Sequence, residues 1–430
     1  MRNAAERTRK TRQGTPLLYI GRLEISIASV ASIAFLALGL SVAAAGCSGC
    51  SKKANPGAGT GGVTPGMSIA TPAAHAAYVT NNASDTLSVI DREGDGVTNV
   101  PIDLDPDAHE APHHLAIDSV SKTVFVALAF PPEARKNAGK DPHASHGSGV
   151  DVGKLARLDL GTLAVRESRD VDENPGDVVL THDRERVLVT HFDMKRAMDV
   201  AARGGGSPST MFAHLVVFDA KDMKRLGSRA VCVAPHGMTT TRDDKTAYIA
   251  CYGSDELAIV DLAGEGFPTS RLPLGATQGV PGVPRYGPYS ATLSPDEKLV
   301  VVADLEGQDI RVLERETRRF VPEKTVNLAA KAFMPAFVDD HTLLVPMQSP
   351  DGLARIDMDR SKIDRRRSFE RAQCGLPHVV RVAKDGRVYL VCVGDHRAPG
   401  TVLEIDPVTL DVKKQWTVGA YPDGLAFGDE

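Results

Sequence analysis

The sequence predicts an all-β protein folded as a seven-bladed β-propeller with four-stranded antiparallel blades. One pattern recurs seven times after residue 74. It consists of a proline, a short apolar strand, a charged turn, a second apolar strand and a third strand that often ends in aspartate. Repeats of about 40–60 residues are typical of propellers, which arrange their blades around a central channel. The 39 glycines and 27 prolines of the 430-residue chain fit a fold rich in turns.

The repeat prolines mark the start of each innermost strand. They are Pro112, Pro175, Pro235, Pro288, Pro335, Pro377 and Pro422. Charged turns such as Arg242-Asp243-Asp244 follow the innermost strands, and third strands end at carboxylates such as Asp159 and Asp261. The regular placement of these carboxylates predicts turn capping. A pair of β-sandwiches is the alternative architecture, but it explains neither the single repeat type nor the two ends of the repeat array.

The first and last units predict that one blade is assembled from both ends of this array. Ala77–Asp91 contains two strands and a polar turn, but it lacks an innermost strand. Asp423–Phe427 has the character of an innermost strand and has no blade of its own. We therefore expect Asp423–Phe427 to complete the first blade of a propeller that spans residues 75–430.

The amino-acid sequence of the first unit also resembles a known repeat. Tyr78-Val79-Thr80-Asn81 followed by Ser88-Val89-Ile90-Asp91 is similar to the YVTN-type β-propeller repeat, found in lactonase-like and surface-layer propellers. The resemblance covers residues 77–430 at the level of the repeat and implies a seven-bladed, exported protein. It implies lactonase-like hydrolysis only by analogy, because the members share architecture more than activity. No residue stands out as a general base, so catalytic residues remain unassigned.

The amino terminus predicts export. A basic leader precedes the predominantly apolar run Ile25–Ala45, and small residues lead into Cys47. Residues 1–47 therefore resemble a bacterial lipoprotein signal, in which Cys47 is lipidated after cleavage. The lipid would anchor the chain to a membrane, in the periplasm or at the cell surface. An uncleaved anchor is the alternative, since roughly 20 apolar residues span a bilayer. Residues 48–74, rich in Gly, Pro, Ser and Ala, are predicted to be a disordered tether.

Composition argues against one class of partner. The formal net charge is −5 and aromatic residues make up 5% of the chain. Neither value favours nucleic acid, which needs positive charge and stacking surfaces.

Four cysteines of the repeat region form two matching sets. Cys232 and Cys374 each lie four residues before a histidine, and Cys251 and Cys392 end the following second strands. In a propeller these positions share one face, and an exported protein meets oxidising conditions. We predict the disulfides Cys232–Cys251 and Cys374–Cys392. Metal binding by Cys and His within each set is the alternative, although neither set has an obvious third and fourth ligand.

Histidines concentrate where the repeat predicts the rim of the channel. His113, His236 and His378 follow three of the repeat prolines, and His191 ends a second strand on the same rim. Neutral imidazole binds Zn, Cu, Fe and Ni, so these four residues are candidate ligands for a transition metal. The alternative is that the imidazoles cap strand ends and form hydrogen bonds between blades. The channel of seven blades is wide, and His113 and His236 could be too far apart for one ion.

Two long insertions are predicted to project from the same face. They are Pro131–Gly153, which contains Lys136, Lys140, His143 and His146, and the Gly-rich His191–Thr210. Long loops on a rigid scaffold are where binding sites are usually built. No GxSxG, HExxH, GxxxxGK[ST] or CxxCH motif is present.

These observations leave three functions open. The first is a monomeric, membrane-tethered binding scaffold, a binding protein rather than an enzyme, with a protein or small-molecule ligand at the channel mouth. The second is a metal-binding or redox-associated protein that uses the channel-mouth histidines. The third is a lactonase-like hydrolase.

Overall fold

The computed structural model describes residues 69–105, 107–130 and 152–430. The predicted signal segment with Cys47, most of the tether and the first long insertion up to residue 151 lie outside the described residues. Among the helices that are described, none is both long and apolar enough to cross a membrane.

The strands of the described ranges follow one another in regular order. In the first half they are β1 (Ala76–Asn81), β2 (Thr86–Asp91), β3 (Val97–Pro101), β4 (Pro112–Asp118), β5 (Thr123–Leu128), β6 (Val152–Asp159), β7 (Val165–Glu173), β8 (Pro175–Leu180), β9 (Arg186–His191), β10 (Ala213–Asp219), β11 (Arg225–Cys232), β12 (Pro235–Thr240), β13 (Thr246–Cys251), β14 (Glu256–Asp261) and β15 (Thr269–Pro273). In the second half they are β16 (Pro288–Leu293), β17 (Leu299–Asp304), β18 (Asp309–Glu314), β19 (Arg319–Phe320), β20 (Val326–Asn327), β21 (Lys331–Ala332), β22 (Ala336–Asp339), β23 (Thr342–Gln348), β24 (Gly352–Asp357), β25 (Lys362–Ser368), β26 (Pro377–Val382), β27 (Val388–Cys392), β28 (Pro399–Ile405), β29 (Val412–Ala420) and β30 (Pro422–Phe427).

Helices are short and lie in the connections. The α-helices are α1 (Met194–Ala202) and α2 (Arg371–Cys374), and the 3₁₀ turns are Ala73–His75, Asn82–Ser84, Pro208–Met211, Tyr252–Ser254 and Pro322–Lys324. The helix α1 lies within the second long insertion, where the sequence had indicated only a Gly-rich loop. Asp193 begins α1 as its N-cap, accepting a hydrogen bond from the backbone N–H of Arg196 at 3.0 Å.

The sheets confirm the seven-bladed propeller. Blade 1 has the order β3-β2-β1-β30, and blades 2, 3, 4 and 7 consist of β4–β7, β8–β11, β12–β15 and β26–β29. Blade 5 (β16–β20) has its outermost strand in two pieces, and blade 6 (β21–β25) has its innermost strand in two pieces. The strand β30 pairs with β1, with Leu425 opposite Val79 and Ala426 opposite Tyr78. The predicted closure of the ring by the split blade is therefore confirmed.

The core lies between the blades. Second strands such as β17, Leu-Val-Val-Val-Ala-Asp, are nearly continuous apolar runs because neighbouring blades cover both of their faces. Between blades 1 and 2, for example, Leu87 and Val89 pack with Val124 and Val126, all at most 1% exposed. Burial of each such side chain contributes about 1.5–3 kcal/mol. Removing one strand from a blade would therefore expose two of these interfaces.

A bulge follows most of the repeat prolines. Pro112 lies opposite Leu128, whereas Leu115 lies opposite Val126, so one extra residue is inserted in β4. The same one-residue shift follows the repeat prolines of β8, β12, β16 and β26. A bulge re-aims the side chains beside it. The residues after the prolines are thereby turned into the mouth of the channel.

Both predicted disulfides are present. Cys232 and Cys251 have Cα atoms 5.9 Å apart and join blades 3 and 4, while Cys374 and Cys392 have Cα atoms 5.1 Å apart and fasten α2 to blade 7. Cys251 lies directly opposite Pro235, and Cys392 lies directly opposite Pro377. Each disulfide therefore fixes the approach to an innermost strand that carries a channel-mouth histidine.

Candidate metal centre at the mouth of the channel

Three of the predicted histidines converge at one end of the channel, together with a fourth. His113, His236 and His378 begin the innermost strands of blades 2, 4 and 7, and His114 follows His113 in the bulge of β4. All four are at most 2% exposed. The ring centroids of His113 and His236 are 5.7 Å apart, and those of His114 and His236 are 5.6 Å apart. The channel mouth is thus narrower between these residues than the blade count suggested.

The side chain of Asp423 connects blade 1 to histidines of the two neighbouring blades. It lies on β30 of blade 1, is fully buried, and bonds Nδ1 of His113 in blade 2. Its other oxygen lies 3.1 Å from Nε2 of His378 in blade 7. Burial by itself disfavours the charged carboxylate, but the two imidazoles overcome this and hold the pKa of Asp423 well below its usual range. Asp423 is therefore an ionised carboxylate that is hydrogen-bonded to His113 and lies within ion-pair distance of His378.

A second buried carboxylate, Asp177, orients His114. Its Oδ1 lies 2.8 Å from Nδ1 of His114, and its Oδ2 accepts the backbone N–H of Met238 at 2.9 Å. Although burial opposes the charge, the hydrogen bond and charge of His114 keep the pKa of Asp177 below its usual range. Because Nδ1 of His114 is engaged, Nε2 is the nitrogen available to a ligand. That Nε2 is buried and has no hydrogen-bond partner among the described residues.

Threonines of the second strands hold these innermost strands in register. Thr190 accepts a hydrogen bond from the backbone N–H of Asp177 at 2.9 Å and donates one to the carbonyl oxygen of His236 at 2.8 Å. Thr80 makes the matching pair of contacts with Gly424 N–H, at 2.8 Å, and with the carbonyl oxygen of His113. The Thr of the Tyr-Val-Thr-Asn segment thus ties blade 1 to blade 2 beside the cluster.

Two groups within the described residues have metal-ligating atoms close together. In His113, His114 and His236, one ligand atom from each residue lies within 4.8 Å of the others, and the same is true of His114, His378 and Asp423. All five residues are buried. A buried set of imidazoles with carboxylates behind them is the arrangement in which outer partners orient metal-ligating histidines.

Aromatic rings enclose the cluster. The ring of Tyr289 stacks on His236 with centroids 4.0 Å apart and an interplanar angle of 25°. Phe192, the second residue of the second long insertion, packs edge-on against His236 at 5.0 Å, and Phe333 lies 5.1 Å from His378. Burial, with the nearby Asp423 and Asp177, raises the pKa of Tyr289 well above its usual value. Tyr289 therefore stays protonated and can serve as a hydrogen-bond donor.

His191 is separate from the cluster. Its Nδ1 lies 2.7 Å from the carbonyl oxygen of His214, and its Nε2 lies 3.1 Å from the backbone nitrogen of Asp172. Burial lowers the pKa of His191 to about 4, so the ring is neutral. Both nitrogens are occupied by backbone groups of blades 2 and 3. His191 therefore links two blades through hydrogen bonds, which is the alternative role predicted above for the channel-mouth histidines.

His114, Asp177 and Asp423 belong to the site but were not among the predicted ligands. A usable signal was present, because Pro112-His113-His114, Pro175-Gly176-Asp177 and Pro422-Asp423-Gly424 all occupy the same rim position of the repeat. Each of these polar residues lies one or two places after a repeat proline.

Comparison with known proteins supports the architecture. No family model and no curated protein matches the chain. Among solved structures, the periplasmic gluconolactonase PpgL of Pseudomonas aeruginosa is 18% identical, with a TM-score of 0.57 over 82% of this chain and 98% of that one. BF1038 of Bacteroides fragilis, a candidate 6-phosphogluconolactonase, is 14% identical, with a TM-score of 0.58 and the same coverage.

A third solved structure has a different activity in its name. The hydrazine synthase of Kuenenia stuttgartiensis is 15% identical, with a TM-score of 0.53 over 75% of this chain and 91% of that one. At these identities the likenesses concern the fold alone. The chain therefore shares the β-propeller architecture of lactonase-like proteins.

Proposed function

We propose that this protein binds one divalent transition-metal ion at the mouth of its channel, with His113, His114 and His236 as ligands. The proposal rests on one observation, the approach of three buried imidazoles from two blades to within 4.8 Å of one another. Neutral imidazole is a common ligand of transition-metal ions. Three such groups at this separation can bind one ion together.

The donor set favours Zn²⁺, Cu²⁺ or Ni²⁺, because neutral imidazole suits these ions and a site rich in oxygen suits Mg²⁺ or Ca²⁺. Metal–nitrogen bonds of about 2.0–2.1 Å place neighbouring ligand atoms roughly 3.3 Å apart. Because the ligand atoms lie within 4.8 Å of one another, each pair would approach by at most about 1.5 Å on binding. The second group shares His114 with the first, so we assign one ion, with His378 and Asp423 supporting the ligands.

The two carboxylates have a defined role in this proposal. Asp423 fixes the ring of His113 and Asp177 fixes the ring of His114, each through Nδ1, so that both present Nε2 to the ion. The negative charges also offset part of the charge of a divalent cation in a buried place. The aromatic rings of Tyr289 and Phe192 limit access of water.

Metal content tests the proposal directly. The purified protein is stripped with a chelator, loaded separately with Zn²⁺, Cu²⁺ and Ni²⁺, dialysed, and analysed by mass spectrometry of the metal. We expect about one ion per chain, and loss of most of it in His114→Ala and His236→Ala. His341→Ala is the matched control, since that side chain is 68% exposed and lies on the turn between β22 and β23. Sub-stoichiometric metal after loading, or full retention in both variants, would contradict the proposal.

Hydrolysis of a lactone is the second candidate function. A buried carboxylate that orients an imidazole, as Asp423 does for His113, is a common general-base arrangement. The name of PpgL gives gluconolactone as the substrate to try first. Turnover by the chelated protein that is lost in His113→Gln would favour this function over metal binding. Binding of metal without turnover would favour the first.

We also propose that the propeller works outside the cytoplasm on a lipid anchor. The support comes from the apolar run Ile25–Ala45 before Cys47, and from two disulfides, which persist in oxidising compartments. Cys47→Ser should move the protein from the membrane fraction to the soluble fraction and abolish labelling by a fatty acid. Unchanged labelling would contradict lipidation at Cys47.

A further inference from the structure

A second feature of the channel lies at its opposite end, away from the histidines. The innermost strands run from the metal centre toward this end, and a cavity of about 550 Å³ opens there. Its walls are the later residues of β4, β8, β12 and β26 and the turns that follow β8, β12 and β16. A cavity of this size suits a small organic ligand.

The polar part of the wall is basic. Arg184, Arg242, Arg381 and Lys384 line the cavity together with the two acidic residues Glu297 and Glu430. Two of these charges are already engaged, because Arg184 pairs with Asp118 at 2.5 Å and Glu297 pairs with Arg315 at 2.7 Å.

The other three basic residues remain open to an anion. Arg242 and Lys384 donate to the carbonyl oxygens of Pro295 and Asp429. No ion pair joins Arg242, Lys384 or Arg381 to a carboxylate within the described ranges. Backbone carbonyls do not neutralise a cation, so these three basic residues face one remaining acidic lining residue, Glu430, and the cavity keeps an excess of positive charge.

Arg381 is half-buried, whereas Arg242 and Lys384 are exposed. Arg381 lies on the innermost strand β26, three residues after His378, and its Nε is buried with no hydrogen-bond partner among the described residues. Burial raises the pKa of the Glu430 carboxyl, and the charge of Arg381 opposes that rise. The guanidinium of Arg381 therefore lies near the Glu430 carboxyl, which also lines the cavity. A buried donor without a partner is costly, and an anion would satisfy it through paired N–H groups.

The remaining wall is apolar. Leu115, Ile117, Val178 and Met238 line the cavity from three neighbouring blades. Such a wall suits a hydrocarbon or sugar-derived body better than a bare inorganic ion, because apolar surface on both sides is removed from water. The combination indicates a ligand with one anionic head group and a small organic body.

We propose that this cavity is a binding site for a small organic anion, a carboxylate or a phosphate ester, held by Arg381 with Arg242 and Lys384. The site is distinct from the proposed metal centre, since it lies at the other end of the channel and uses different residues. Metal binding and anion binding can therefore fail or succeed independently.

Calorimetric titration tests this proposal on the full propeller at constant ionic strength. Glycerol 3-phosphate and hexanoate are titrated separately, with chloride as the reference anion. We expect at least one probe to bind more tightly than chloride, and Arg381→Gln to weaken that binding about tenfold or more. The tighter of the two probes identifies the head group. Failure of both probes to exceed chloride would overturn the proposal.

Two further variants make the test decisive. Arg360→Gln is the matched control, because Arg360 is 80% exposed on another turn and should leave binding unchanged. Arg242→Gln removes a second basic group from an exposed turn, so it should fold even if Arg381→Gln does not. We expect Arg242→Gln to weaken binding several-fold. Equal binding by wild type and Arg242→Gln, or by wild type and a folded Arg381→Gln, would refute the assignment.

Discussion

His113 and Asp423 are hydrogen-bonded to each other in the mouth of the channel although 310 positions separate them in the sequence. Asp423 lies on the strand that closes the ring, and His113 lies on the innermost strand of the next blade. The contact couples closure of the propeller to assembly of the candidate site. A chain that fails to close its first blade would also lose the carboxylate behind two of its histidines.

Asp423→Asn should destabilise the propeller by about 2–4 kcal/mol, because a buried charged acceptor that serves two imidazoles is removed. Urea unfolding at pH 7 measures the change. Asp170→Asn is the control, since Asp170 is 71% exposed and its pair with Lys154 should contribute less than about 1 kcal/mol. Equal unfolding curves for the two variants would show that Asp423 has no such role.

Asp177→Asn should weaken metal binding by about 10–100-fold, the usual effect of removing a carboxylate that orients a ligating histidine. The amide can still accept the N–H of Met238, so the fold should persist. Affinity is measured by competition with a chromogenic chelator, and the melting temperature of the metal-free variant checks its folding. An unaltered affinity in a folded variant would remove His114 from the ligand set.

Deletion of residues 422–430 should lower the melting temperature sharply and expose apolar surface to a hydrophobic dye. The deletion removes β30, leaves the edge of β1 open, and uncovers residues such as Tyr78 and Val79. A chain that begins at Ile69 should melt like one that begins at Ser48. Similar melting of the carboxyl-terminal deletion and the full chain would contradict closure through β30.

Each disulfide should stabilise the protein by roughly 3 kcal/mol on the chain-entropy model, given separations of 19 and 18 residues. The paired variants Cys232→Ser/Cys251→Ser and Cys374→Ser/Cys392→Ser should each unfold at lower urea concentration. The Cys232→Ser/Cys251→Ser variant should weaken metal binding more than the other pair, because only the first disulfide adjoins a proposed ligand, His236. Free thiols at these four positions in the unreduced protein would refute the pairing.

Titration of Glu110 should lower the free energy of unfolding as the pH rises from 5 to 8. Its side chain is 1% exposed, and burial raises its pKa to about 7. Because the folded pKa exceeds the unfolded value, the contribution of Glu110 is full below about pH 4.5 and is lost as the pH rises through 7. Glu110→Gln stays neutral, so its stability relative to wild type should increase with pH.

The control for that prediction is Glu265→Gln, at an exposed turn, which should show no such trend. Urea unfolding at four pH values from 5 to 8 gives both comparisons. A pH-independent difference between Glu110→Gln and wild type would mean that Glu110 titrates normally.

The sequence located the rim of the channel but not the contacts across it. His113, His236 and His378 were found because each follows a repeat proline, and the cysteine sets were found by the same spacing. The repeat spacing did not predict the placement of His191. The hydroxyl of the preceding Thr190 faces the innermost strand, and successive side chains of a strand point to opposite faces. The ring of His191 therefore points away from the cluster.

The blades, the split first blade and the two disulfides could be predicted from the sequence, because repeat spacing, strand alternation and turn residues are local properties of the chain. Which rim residues meet depends on the packing of the whole ring. The distance from His113 to His236 depends on the curvature of the ring and on the bulge after each proline, and the partnership of Asp177 and Asp423 with particular histidines depends on neighbouring blades. Those quantities arise from packing between blades, and no single repeat contains them.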